Sequence, residues 1–420
     1  AAPGGSWSYD VTWNVGTAGT CQPFTNTATL GTGASDSADV TACRAADLAV
    51  TKTATGSYDT TYLWDVSKTL DASVPGSAPA GTTVPLPYAV VATKIGQTDA
   101  AWVIKGTITV TNPNTWEPVT LQSVSDSLSV DGATCTISGD QTATIAAGAT
   151  AIFDYTCSYA SKPASYSGTN TATVTWDKPA AHTATGSASG AADYTMALTK
   201  ETDKTVTVVD TFNGGDPVQV GTADISESPK TLPVDRSIAL PSGTCVKVTN
   251  IATITGDAGT TLDTASVDKT ICGGANLTVT KTADAGYTQT YPWTVTKDAS
   301  RTKIVVAEGG NTDVTYTVTP TVGTPTPTAW TLTGQITVSN PNDWETVTVD
   351  ITDAVNIDGL TCTVLDGNGV VIPKATGATP GTATRTYSCT VAGGADPGTL
   401  SGTNTATATW NADAASTSAG

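Results

Sequence analysis

The chain has 420 residues, 37 acidic against 19 basic, and a formal net charge of −18. About one residue in five is Thr, beside 40 Gly, one Met and one His, a mix poor in helix formers and rich in strand formers. So acidic a chain is a poor binder of nucleic acid or anionic membrane. With His182 alone, no Ser-His-Asp set, multi-His zinc site or C-x-x-C-H haem is expected, and no metal or cofactor is called for.

Period-2 alternation of apolar residues with Thr and Ser runs through the chain, punctuated by Asn-Pro-Asn at 112–114 and 340–342. Seven or more short strands per hundred-odd residues, with no helical stretch, predict an all-β chain of tandem immunoglobulin-like β-sandwich domains. Trp64, Trp102, Trp116 and Trp176 recur on strands and are expected to fill the cores. No apolar run is long enough for a helical membrane span.

The start at Ala1-Ala2-Pro3, without Met, and four widely separated cysteine pairs predict a processed, secreted or cell-surface protein. The expected disulfides are Cys21–Cys43, Cys135–Cys157, Cys245–Cys272 and Cys362–Cys389, one per module. Residues 1–46 read as an incomplete short β module, 47–178 as a long sandwich, 179–274 as a short sandwich, and 275–420 as a second long sandwich with a polar tail.

Internal repeats support this division. GTITVTNPNTWEPVTL (106–121) returns as GQITVSNPNDWETVTV (334–349), and LAVTKTATGSYDTTYLWDVSK (48–68) as LTVTKTADAGYTQTYPWTVTK (277–297). SGTNTATVTWD (167–177) returns as SGTNTATATWN (401–411), and FTNTATL (24–30) matches VTNIATI (248–254). A short-long unit is therefore duplicated. The stretch 194–220, read as two strands of the second short module, has no counterpart before residue 1.

Each complete module carries Lys, Asp and Asn in order: Lys52, Asp126 and Asn170; Lys200, Asp210 and Asn250; Lys281, Asp353 and Asn404. Lys on an opening strand and Asn on a closing one are expected to meet in the core. Burial lowers the pKa of Lys and frees its amine, and a buried carboxyl polarises the Asn carbonyl and shuttles protons. The product is a Lys–Asn isopeptide bond, with ammonia leaving.

These residues resemble the repeat and stalk domains of Gram-positive surface proteins and pilins: the collagen-adhesin B-type and DUF11-like domains, with LTVTKT near the start, an internal VTD-like strand and a closing NTAT. The resemblance implies a structural subunit of an extracellular fibre, pilus or stalk with autocatalytic Lys–Asn crosslinks. Such families often use Glu as the acid, so Glu117 and Glu345 rival the Asp residues. No LPxTG is present.

The first short module keeps Asn26 but has no counterpart of Lys200 or Asp210. An open sandwich accepts an incoming strand, so the expected partner is the chain itself, assembled head-to-tail with Asn26 as an intermolecular acceptor. Residues 194–220 of another chain, or sequence beyond Gly420, are the expected donors. The alternative is an adhesin or glycan-binding protein that meets a cell-wall or host ligand through exposed aromatics such as Trp116 and Trp344.

Overall fold

The computed structural model describes residues 4–391 and 401–420; the Ala1-Ala2-Pro3 start lies outside them. The chain is all-β. Strands run throughout, with one 3-10 turn at Ile225–Glu227 and no α-helix among the described residues. Three apolar cores form between facing ladders. The Thr content follows from strands with one wet face: there, hydroxyls pair across the ladders, as in Thr120–Thr144 at 2.8 Å and Thr337–Thr384 at 2.9 Å.

The first core lies in the first long module. Strand Thr83–Thr111 pairs with Thr150–Tyr159 and Ala49–Lys52, while Ser167–Trp176 pairs with Val119–Leu128. Ile104, Ile108, Val110, Val174 and Trp176 fill the space between. Ser187–Thr202 closes this sheet, antiparallel to Ser167–Trp176 and parallel to Thr55–Leu70. The repeat register assigns residues 194–202 to the second short module; the structure puts them here, and only Thr205–Phe212 and Val218–Asp224 enter that module's ladders.

The second core depends on strands from the first long module. Thr83–Thr111 is 29 residues long, and its two ends serve different cores. Ile104, Ile108 and Val110 lie in the first; Val84, Leu86, Tyr88, Val90 and Ala92 lie in the second. Strand Thr55–Leu70 runs beside it and sends Tyr62, Trp64 and Val66 into the second core. This long hairpin lies against Val206, Val208, Val248, Ile254 and Ile271 of the short module. Its outer edge pairs with Lys230–Ala239, Val234 opposite Tyr88.

The second long module repeats the first around Ile336, Val338, Val349, Ile351 and Ile372. Its hairpin also repeats, in the same register. Trp293–Ala299 pairs with Tyr316–Val322 and sets Lys297 opposite Val318, as Lys68 stands opposite Val90. This hairpin, however, is bare. Trp293, Val295, Tyr316 and Val318 are 54–64% exposed, where Trp64, Val66, Tyr88 and Val90 are at most 5% exposed.

All four expected disulfides are present, each joining directly opposed residues of an antiparallel pair. They belong to a chain that matures outside the reducing cytosol. No helix among the described residues is long and apolar enough to cross a membrane.

Candidate functional site

Alternation delivers the charged residues to the interior. Lys52, one strand position from the wet-faced Thr51 and Thr53, turns inward beside Ile108. Its ammonium sits 2.5 Å from Asp126 Oδ1, and both side chains are fully buried. The Asn170 amide donates to the other carboxylate oxygen at 3.1 Å. One carboxylate therefore touches the amine on one side and the carboxamide on the other. Lys52 also lies 3.3 Å from the centroid of the Tyr155 ring, a cation–π contact.

The second long module has the same set. Lys281 pairs with Asp353 and lies 3.2 Å from the Tyr387 ring centroid. In both, the Asn amide nitrogen is 4.0 Å from a disulfide sulfur, Asn170 from Cys157 and Asn404 from Cys389.

One register rule places acid and amide together. Asp126 stands opposite Ala172, Asp210 opposite Ala252, and Asp353 opposite Ala406. Each Ala lies two residues after the Asn, so Asp and Asn are diagonal neighbours on one face.

The second short module departs from the expected trio. Lys200 is exposed on Ser187–Thr202, paired with Asp59 in the parallel ladder, and does not reach Asp210. Lys68 takes that place. It comes from the hairpin of the neighbouring module and forms a fully buried ion pair with Asp210. Arg236 holds the other Asp210 oxygen through two nitrogens, at 2.6 and 2.8 Å. Lys68 was legible in parity alone: it shares its strand face with the buried Trp64 and Val66. The tyrosines were legible as Tyr155 and Tyr387, each two residues before a cysteine.

Burial pushes the Lys52 ammonium below its ordinary range, against the opposing hydrogen bond and charge of Asp126. Lys68 shifts the same way for the same first cause, with the Arg236 charge adding to it. Burial first, and the Asp126 charge second, push the Tyr155 hydroxyl up to about 12, so it stays a neutral donor to Thr53 O at 2.6 Å.

In each of the three sites the Asn carbonyl oxygen is buried without a hydrogen-bond partner: Oδ1 of Asn170, Asn250 and Asn404. An unpaired buried acceptor costs about 1–3 kcal/mol, and here it recurs at the same position three times.

No family model and no curated protein matches this chain.

Glu117 and Glu345, the rival acids, make no hydrogen bond or ion pair to a candidate lysine among the described residues. Glu117 contacts His182 at 3.2 Å, and burial raises the Glu345 carboxyl above its ordinary range. Their NPN-x-WE stretches do another job. Asn114 accepts from Ala46 N and donates to Ala46 O, and Asn342 does the same at Ala275, in all four cases at 2.8–3.0 Å. Each clamps the linker between a short and a long module. Gly19 and Gly243 lie at the same junctions with φ of +83° and +73°. A Cβ on either would press on the carbonyl of Pro113 or Pro341 at 3.1 and 2.8 Å.

Asn26 lies outside any such trio and donates its amide to Tyr9 Oη at 2.9 Å.

Proposed function

We propose that the chain is a structural subunit of a secreted fibre, pilus or cell-surface stalk. Lys–Asn isopeptide bonds would harden its modules, and completion of residues 1–46 by an incoming strand would extend it head-to-tail. The observation that carries this reading is the threefold site: a buried lysine on a buried aspartate, beside a buried asparagine whose carbonyl oxygen is unpaired.

The chemistry balances within each site. A proton passes from the ammonium to the carboxylate, leaving a neutral amine and a carboxylic acid, a transfer that burial of the ammonium makes less costly. A half-turn of the Asn amide brings Oδ1 to that acid, which donates to it. The amine attacks Cγ, the C–N bond of the carboxamide breaks, and ammonia leaves with the proton returned through the carboxyl group. The Lys–Asp–Asn contacts at Asp126 supply the proximity such a step needs.

The placement of Lys68 has a mechanical consequence. Its bond to Asn250 would join the hairpin of one module to a central strand of the next, so that tension along the chain crosses a covalent link. The adhesin reading is less well supported, since Trp116 and Trp344 are half-buried rather than displayed.

Intact mass of the reduced, denatured chain tests the reading: it should fall short of the sequence mass by one ammonia per bond. A mass matching the sequence, with only the disulfides reduced, refutes it.

A further inference from the structure

The bare hairpin at 293–322 and the exposed face of residues 7–44 are the two halves of a joint that the chain also contains in assembled form. We propose that this hairpin of one copy docks on residues 7–44 of a second copy, and that Lys297 then bonds to Asn26 with Asp36 as the acid. The proposal rests on the head-to-tail reading and names its donor, its nucleophile and its acid.

The assembled form is the second short module, where the hairpin carrying Trp64, Val66, Lys68, Tyr88 and Val90 covers Val248, Ala252 and Ile254. The bare hairpin carries Trp293, Val295, Lys297, Tyr316 and Val318 in the same register. Lys297 lies 4.6 Å from the Tyr316 ring centroid, as Lys68 lies 5.1 Å from that of Tyr88. On the receiving side, strand Thr20–Thr29 and the residue after it set Phe24, Asn26, Ala28 and Leu30 where the assembled joint has Val248, Asn250, Ala252 and Ile254. Leu30, Val40, Trp7, Tyr9 and Val11 are exposed there. An apolar surface of this kind on both sides marks an interface.

Residues 7–15 alternate Trp7, Tyr9, Val11, Trp13 and Val15 and form no strand in the isolated chain. They precede Cys21 as Lys230–Ala239 precedes Cys245, and that strand pairs with the hairpin edge. Docking would therefore convert 7–15 into a strand on Tyr316–Val322.

The acid comes from the register. Asp36 stands opposite Ala28, two residues after Asn26, the relation that holds at Asp126, Asp210 and Asp353. It lies on the partner strand Ser35–Arg44, where the assembled module has Ala265 opposite Ala252. The acid has moved to the other neighbour of the Asn strand, so a site forms here without a counterpart of Asp210. Lys297 would lie against Asp36 and Asp39, while the hairpin as a whole carries Lys297, Arg301 and Lys303 beside Asp298, Glu308 and Asp313. The bond forms as in the other sites, with Lys297 Nζ replacing the Asn26 amide nitrogen at Cγ and one ammonia released.

The test uses the full chain, concentrated, then reduced and boiled in SDS. Wild type should give a ladder of multimers whose joined peptide contains Lys297 and Asn26. Lys297→Arg should lose the ladder while light scattering in native buffer still shows multimers. Asp36→Ala should slow the ladder at least tenfold. Trp293→Asp should abolish native multimers as well. In every variant the mass deficit of the intrachain bonds should persist, which shows that the modules have folded. A Trp293→Asp chain that still polymerises overturns this donor but leaves head-to-tail assembly standing. A wild type that stays monomeric at every concentration overturns both, as does a Lys297–Asn26 bond found inside a monomer.

Discussion

At the scale of single residues, the decisive step is the choice of a charged pair over an apolar one in a sandwich core. A buried ion pair is rarely worth its desolvation, and removing one partner typically costs about 3–5 kcal/mol. In the proposed chemistry it would hold a nucleophile beside its electrophile. Asp126→Ala should leave Lys52 and Asn170 unjoined, so the intact mass should rise by one ammonia beyond the change of residue. A deficit equal to that of wild type would remove Asp126 from the chemistry. The pH response follows from Lys52. Its folded pKa lies below the ordinary 10.5, so between the two values the unjoined folded chain binds fewer protons than the unfolded one. Stability of the unjoined form should rise with pH across that window, whereas joining, which uses the one proton shared by Lys52 and Asp126, should slow as that proton is lost. Intact mass of freshly synthesised chain over time should show ammonia loss slowing as pH rises through the lowered Lys52 range; a rate that keeps rising with pH would contradict it. Lys281 keeps 13% of its side chain exposed, beside an open groove of about 590 Å³ between Gly286, Trp330, Leu332, Val355 and Asn404. In the first long module Met196 pairs with Gly56, the counterpart of the groove-lining Ala285. The bond at Lys281 should accordingly form more slowly than that at Lys52. At the linkers, Asn114→Ala removes both hydrogen bonds to Ala46 and should cost about 1–3 kcal/mol, seen as earlier proteolysis near residue 46.

At the scale of elements, one hairpin occurs in two states, covered and bare. Trp64→Ala should destabilise the chain by about 3–5 kcal/mol in denaturant melts, since it empties a packed core. Trp293→Ala in the monomer should stay within about 0.5 kcal/mol; equal effects would contradict the difference in burial. The strands and the four cysteine pairs were legible in sequence because alternation and even spacing are local signals. Alternation shows that a face is buried but not against what. Residues 194–202 therefore read as part of the second short module, although they close the first long one. For the same reason the sequence pattern points to Lys200, in a local context like that of Lys52, where the structure has Lys68. The trios built on Asp126 and Asp353 were legible because all their members lie within one repeat. The third was not, because its lysine crosses from one module into the next.

At the scale of the whole molecule, each module depends on its neighbour. The second short module has no complete core without the first long module's hairpin, and the Asn clamps fix the linkers between them. The shared hairpin, the four disulfides and the Lys–Asp–Asn sites are the features on which the proposed tension-carrying role rests. The disulfides close loops of 22 and 27 residues, each worth about 3 kcal/mol, yet reductant removes them; an amide bond survives it. The most direct measurement is peptide mapping of the reduced, denatured chain by mass spectrometry. The account predicts branched peptides joining Lys52 to Asn170, Lys68 to Asn250 and Lys281 to Asn404, each lighter by one ammonia. Linear peptides carrying free Lys52, Lys68 and Lys281, or a branch from Lys200 to Asn250, would contradict it.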